Sequence, residues 1–241
     1  MLGTGCVQSL WKTGAMTETQ QRPDPWADVV EEVVELPGGA VAVRHPRDGL
    51  ELLDEEAFER EQFMPYWADL WPSALALADV VARRPPQGKR VIELGCGIAL
   101  PGIVAARGGA ADVLLTDWSE DAIAFAADNA ERNGVRVRTA VQSWDQPAPL
   151  VIEGGWDLVL ASDVLYEERN VLPLLAALDE LVGPAGEVWL TDPRRRHLPA
   201  FLELAAENWQ VGTLPSARVE GVDLHVLARL TEHENQLADT G

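Results

Sequence analysis

Cysteine is almost missing from this chain. Cys6 and Cys96 are the only two, which rules out a disulfide framework. The four histidines are scattered, without zinc-ligand spacing, so no metal is expected. Basic residues are also scarce: 19 Lys and Arg stand against 39 Asp and Glu, for a formal net charge of −20. Affinity for DNA or RNA rests largely on cationic contacts to phosphate, so a nucleic-acid partner is not expected. A basic protein suits the charge better, although net charge also serves solubility. No apolar run approaches the ~20 residues of a membrane-spanning helix. The N-terminus has neither a basic n-region nor a continuous apolar h-region. The expectation is therefore a cytoplasmic protein without a membrane partner, acting as a monomer.

With 241 residues, 47% of them hydrophobic, the chain can bury one good core, so one domain with tails is expected. Residues 1–25 lack periodicity and read as a disordered tail, in which Met16 is a candidate start. Residues 26–62 read as an extension: β-rich runs at 29–35 and 40–44 around Pro37-Gly38-Gly39 suggest a hairpin outside the main sheet, and 54–62 has helical propensity. Residues 63–232 read as the main domain and 233–241 as a tail. A helix runs from Pro72 until Pro85-Pro86-Gln87-Gly88 stops it.

Residues 90–117, RVIELGCGIALPGIVAARGGAADVLLTD, organise the rest. They read as strand, glycine turn, helix and strand, with Gly95 and Gly97 at the turn and Pro101 in the first helical turn. Asp117 closes the second strand, where an acid of a βαβ unit accepts hydrogen bonds from ribose hydroxyls. A dinucleotide site wants a third glycine where Leu100 stands. Glu93 beside the turn would repel a diphosphate and attract an ammonium or sulfonium. S-adenosylmethionine carries both cations. The alternative is that the glycines only make a tight turn and Asp117 only caps the next helix.

Beyond Asp117, Ser119 is an N-cap with Glu120 and Asp121 behind it, and Asn133-Gly134 is a stop. Further strands are expected at 135–141, 157–161 and 186–191, helices at 171–182 and 199–209, and closing strands at 210–214 and 222–230. The pattern describes an α/β fold: a doubly wound, mostly parallel sheet with a C-terminal antiparallel hairpin. Ligands of such sheets sit at the carboxyl ends of strands, near the point where strand order reverses. That rule selects Glu93 to Gly97, Asp117-Trp118, Ser143-Trp144-Asp145 and Ser162 to Tyr166, with Asp192 to Arg195 beyond.

An acid, G-x-G and an acid closing the second strand resemble the class I, seven-β-strand methyltransferases, which have a Rossmann-like fold. Asp163 to Tyr166 is a D-x-x-Y element, with MPYWADLWPSALALA before it and TDPRR after it. From residue 63 to 230 the chain resembles the D-x-x-Y lysine methyltransferase group. Within that group it resembles especially the members that look like the electron-transfer-flavoprotein β-subunit lysine methyltransferase and its bacterial relatives. The resemblance implies S-adenosyl-L-methionine as cofactor and Trp67, Trp71, Glu93, Gly95, Gly97, Asp117, Trp118, Ser143, Trp144 and Ser162 as its binding residues. Relatives often carry an acid where Ser143 stands, so the adenine contact falls to backbone or to Asp145. Asp163 and Tyr166 are the implied catalytic pair, and Tyr66, Asp192 and Arg195 the implied substrate contacts.

Asp163 and Tyr166, three apart, can address one amino group; alternatively Asp163 only caps the next helix. Relatives read D-P-G-R where this chain has Arg194 in place of the glycine. Arg194, Arg195, Arg196 and His197 either hold a substrate carboxylate or form a solvated helix start offset by nearby acids. The implied activity is N-methylation of a protein lysine. The alternatives are N- or O-methylation of a small molecule and a non-catalytic cofactor-binding module. Burial among aromatics would lower the lysine pKa while Asp163 would oppose the shift, and the sequence leaves that contest open. Deleting residues 1–22 is expected to leave the melting temperature and cofactor affinity nearly unchanged; a lost transition in thermal unfolding would show that the tail packs on the core.

Overall fold

The computed structural model describes residues 23–52 and 64–230. The tail expectations for 1–22 and 233–241, Cys6 and the helix expected over 54–62 lie outside the described residues.

Strands β1 (Val29–Val34) and β2 (Val41–Pro46) form an antiparallel hairpin separate from the main sheet. Helix α1 (Pro72–Arg83) precedes β3 (Arg90–Leu94), α2 (Leu100–Arg107), β4 (Asp112–Asp117), α3 (Glu120–Arg132) and β5 (Arg138–Val141). Then come β6 (Trp156–Ser162), α4 (Val171–Leu181), β7 (Val182–Asp192), α5 (Leu198–Ala205), β8 (Trp209–Pro215) and β9 (Asp223–Arg229). The seven-stranded sheet has the order β5-β4-β3-β6-β7-β9-β8. All pairs from β5 to β7 are parallel, and β9 runs antiparallel to both neighbours. Strand order reverses between β3 and β6, which opens a crevice at their carboxyl ends.

Alternation along the central strands feeds two cores. Val91 of β3 and Leu158 and Leu160 of β6 face α1 and α2, together with Leu77, Val81 and Ile103. Ile92, Leu94, Val159 and Ala161 point to the other side, against Leu174 and Leu178 of α4 and Phe201 of α5. Both faces of the sheet are therefore covered, as a buried parallel sheet requires.

Three expected boundaries move. The third strand starts only at Arg138, because the amides of Gly134 and Val135 close α3 on the carbonyls of Glu131 and Ala130. Strand β7 begins at Val182 rather than Gly186, with a register shift opposite Trp156 and Leu158. A side chain at Gly155 would stand 2.4 Å from the Gly183 nitrogen, so paired glycines allow the backbones to approach there. Helix α5 stops at Ala205, and Trp209 belongs to the following strand.

The hairpin is clasped to α3 by two asparagines. Asn129 Oδ1 accepts the Arg44 amide at 2.7 Å, and its Nδ2 donates to the Arg44 carbonyl at 3.0 Å. Asn133 repeats the pairing with the amide and carbonyl of Ala42. Each carboxamide thus presents one acceptor and one donor, as a neighbouring strand would. Asn129 is fully buried and also donates to the Ile98 carbonyl at 3.1 Å, which ties the hairpin to the glycine turn. Asn129→Ala leaves these backbone groups unpaired and is expected to cost about 2 to 3 kcal/mol. The check is a lower urea midpoint at unchanged m-value; an unmoved midpoint would show that apolar contacts alone hold the hairpin.

Candidate active site

The turn after β3 is built on left-handed backbone. Gly95, Gly97 and Ala99 have φ of 64°, 49° and 66°, a region free to glycine and costly to alanine. Asp117, at the end of β4, stabilises the turn: Oδ2 accepts the Gly97 amide at 3.0 Å and Oδ1 the Ser119 amide at 3.0 Å. Burial pushes the Asp117 carboxyl up to about 6, against the opposing pull of those amides. A side chain at Gly97 would meet the Trp67 carbonyl oxygen at 3.1 Å, and one at Gly95 would meet the Trp144 ring at 3.0 Å.

Glu93 does not reach the cleft. Strand alternation turns it to the α1/α2 face with Val91, fully buried, where Oε2 accepts the Gly102 amide at 2.9 Å. Its Oε1 has no hydrogen-bond partner, and burial raises the carboxyl to about 8. Gly102 makes the fit possible, because a Cβ there would lie 2.2 Å from Leu115 Cδ2 and 2.6 Å from Glu93 Oε2. The close-packing glycine of this βαβ unit thus stands two positions after Leu100.

On the opposite wall, Asp163 follows β6 with φ 57°, its amide bonded to the Thr191 carbonyl. Its carboxylate receives a two-pronged contact from Arg195, Nε to Oδ1 at 2.8 Å and Nη2 to Oδ2 at 3.0 Å. The Arg195 guanidinium carbon lies 5.9 Å from the centre of the Trp71 ring. Trp71 Nε1 donates to the Tyr66 carbonyl, and the Tyr66 and Tyr166 rings meet at 5.0 Å. Burial, and secondarily Asp117, pushes the Tyr166 phenol up to about 12, so it stays a neutral donor.

The basic cluster is largely committed to acids. Arg194 pairs with Asp223, Nε to Oδ2 at 2.9 Å, and Arg195 with Asp163. Arg194 has φ 64°, a left-handed conformation that favours glycine, and it holds this conformation with its guanidinium on Asp223. Asp192, expected at the substrate, is fully buried beneath this loop, where Oδ1 accepts the Arg195 amide at 2.6 Å. The expected grip of Arg195 on a substrate carboxylate is likewise not what the structure displays, because its fork is filled by Asp163.

These elements enclose a cleft of about 680 Å3, counting the space open to solvent. It brings together Tyr66, Trp67, Trp71, Gly95, Gly97, Asp117, Trp118, Trp144, Ser162, Asp163, Tyr166 and Arg195. Glu93, Ser143 and Asp192 are not on its wall. Neither is Asp145, which is exposed. Asp69, Ala74, Ile98 and Leu100, which the strand-end rule did not select, also line it, as do Cys96 and Val164 from within the selected stretches. All six lie inside motifs already singled out, at 64–78, 90–117 and 163–166, so position within those motifs was the available signal.

A family described as lysine methyltransferase matches residues 66–207. The chain is 38% identical over 135 residues to EEF1A lysine methyltransferase 3 of Mus musculus, covering 53% of this chain and 56% of that protein. It is 33% identical over 141 residues to the electron transfer flavoprotein beta subunit lysine methyltransferase of Danio rerio, covering 54% and 51%. The chain thus spans just over half the length of these relatives. Among solved structures, the 16S rRNA N2 G1207 methyltransferase RsmC of T. thermophilus superposes with a TM-score of 0.61 at 16% identity, over 86% of this chain and 52% of that one. Ribosomal protein L11 methylase of Lactobacillus delbrueckii subsp. bulgaricus gives 0.54 at 22% identity, over 66% and 79%. Both likenesses are of fold.

The buried acids make stability depend on pH. Folded Glu93 keeps its proton up to about 8 whereas the ordinary value is 4.5, so the folded state binds more protons between these limits. Stability is full below that window and lost as pH rises through it; Asp117 acts alike between 3.8 and about 6. Glu93→Gln keeps an acceptor for the Gly102 amide and removes the titration. Its melting temperature relative to wild type is expected to rise steadily from about pH 5 to about pH 8; a constant difference across that range would show that Glu93 does not titrate there.

Proposed function

The chain belongs to the lysine methyltransferase family, and from that membership we propose that it transfers a methyl group from S-adenosylmethionine to a lysine side chain of a protein. The observation that carries the reading is the meeting of two motifs in one cleft. Gly95, Gly97 and Asp117 line it together with Asp163 and Tyr166, although the two groups come from different strands.

The lining residues fit the cofactor. Asp69, Asp117 and Asp163 face the cleft against a single cation, Arg195, a balance that favours an ammonium and a sulfonium and disfavours a diphosphate. Asp117 lines the cleft at the end of β4, where its carboxylate is suited to accept a ribose hydroxyl. Trp144 beside Gly95 offers a flat apolar wall for a base. Bound there, S-adenosylmethionine supplies a methyl group that passes as CH3+ to a lone pair while the thioether keeps the electrons of the broken bond.

The protein's own part is placement. Tyr66, Trp71 and Tyr166 line the cleft with neighbouring rings, an aromatic surface suited to exclude water and align an incoming amine. A free lysine has a pKa of about 10.4, so its proton must go to solvent before attack, and aromatic walls favour the neutral amine. Asp163, with the Tyr166 phenol, is suited to orient it. The net charge of −20 favours a basic protein as the partner.

Calorimetry is expected to give binding of S-adenosylmethionine and its demethylated product but not of NAD; preferential binding of NAD would overturn the reading of the turn. With labelled cofactor and cell lysate, label is expected in the protein fraction, and label confined to small molecules would move the acceptor to that class. Asp117→Ala should weaken cofactor binding by roughly 1.5 to 3 kcal/mol and recover its rate at saturation. Asp163→Ala should bind cofactor almost normally and lose turnover that excess cofactor does not restore. Full turnover in the latter would remove the D-x-x-Y assignment.

A further inference from the structure

Asp163 poses a problem for an amine acceptor. An unpaired carboxylate at the acceptor wall would bind an alkylammonium and hold its proton, because an opposite charge within about 4–6 Å favours the charged form by about 1 to 3 pKa units. Only the free amine has the lone pair the reaction needs. The structure supplies a counter-charge: Arg195 covers both oxygens of Asp163 at 2.8 and 3.0 Å and lies over Trp71. Its placement is built in. The Arg195 amide is tied to the buried Asp192 carboxylate, and the left-handed turn at Arg194 is pinned by Asp223.

We propose that Arg195 is a positioning residue that cancels the charge of Asp163 at the acceptor wall, so that the amine is oriented there without being trapped as its ammonium. The inference rests on the methyltransferase reading of the same cleft and goes beyond it by giving the wall a charge state. Other ionisable groups facing the pair are Asp192 below it, Tyr66 from the segment before α1, Tyr166 after β6, and Asp69 and Asp117 across the cleft. Of these Asp192 is fully buried and bonded to the Arg195 amide. None of these is paired side chain to side chain with Asp163, and among the described residues Arg195 is the cation that holds it.

The first test needs no acceptor. Ligand-observed NMR with n-butylammonium is expected to give binding to Arg195→Ala about tenfold tighter than to wild type, the equivalent of one pKa unit. Adding Asp163→Asn to Arg195→Ala should abolish the gain, and methylguanidinium, which restores the missing fork, should compete. The second test is the pH profile of label transfer into lysate protein. Arg195→Ala should shift it upward by about one unit, methylguanidinium should move it back, and Arg195→Lys, which keeps the charge, should stay near wild type. If Arg195→Ala does not fold, Arg195→Gln serves as the neutral variant. Equal n-butylammonium affinity in wild type and the folded neutral variant, or an unshifted profile, would overturn the proposal. Absence of S-adenosylmethionine binding to wild type would instead defeat the functional reading, which calorimetry registers separately.

Discussion

One carboxylate holds the centre of this molecule together. Asp117 ends β4, and its two oxygens take the amide of Gly97, twenty positions earlier in the chain, and that of Ser119, at the start of α3. It shares the fixing of a turn with left-handed backbone at Gly95, Gly97 and Ala99 with two backbone bonds, from the Cys96 amide to the Thr116 carbonyl and from the Ala99 amide to the Cys96 carbonyl. With it, the end of β3, the end of β4 and the head of α3 form one rigid corner at the strand-order reversal. The acid accepts a burial penalty there, visible in its raised pKa, and the backbone amides offset part of it.

The rest of the cleft is a problem in placing charge. Glu93 is kept off the wall by strand alternation and given the Gly102 amide, while Asp117 lines the cleft. Asp163 is neutralised by a guanidinium aimed by its own loop. Acidic character is thus retained where a cationic cofactor would lie and cancelled where an acceptor amine would enter. Methyl transfer of the proposed kind needs little acid or base chemistry, and the side chains would serve alignment and exclusion of water.

The N-terminal extension packs toward the same corner. The Trp26 ring stacks on Phe125 with centroids 3.8 Å apart and planes 4° from parallel, and Phe125 leans on Trp67 at 5.5 Å. The Trp67 carbonyl lies against Gly97. Together with the asparagine clasp from Asn129 to Ile98, this gives the hairpin two physical routes to the turn. Apolar stacking carries one and buried hydrogen bonds the other.

Much of this was legible in the amino-acid order, because local rules act over a few residues. Period-two and helical patterns marked the strands and helices, glycines marked left-handed backbone, and an acid closing the second strand marked one corner of the cleft. The sequence alone therefore determined the doubly wound fold, the terminal antiparallel pair and most of the residues around the cleft. It did not determine where side chains of separate segments would meet. That Glu93 turns inward depends on which sheet face α2 covers, and that Arg195 grips Asp163 depends on the β6 and β7 ends lying side by side, 32 positions apart in the chain. Asn129 reads as an ordinary helical residue until a strand is laid beside it. Such pairings are set by packing across the sheet, where distance in space has no counterpart in distance along the chain, and only the tertiary structure decided them.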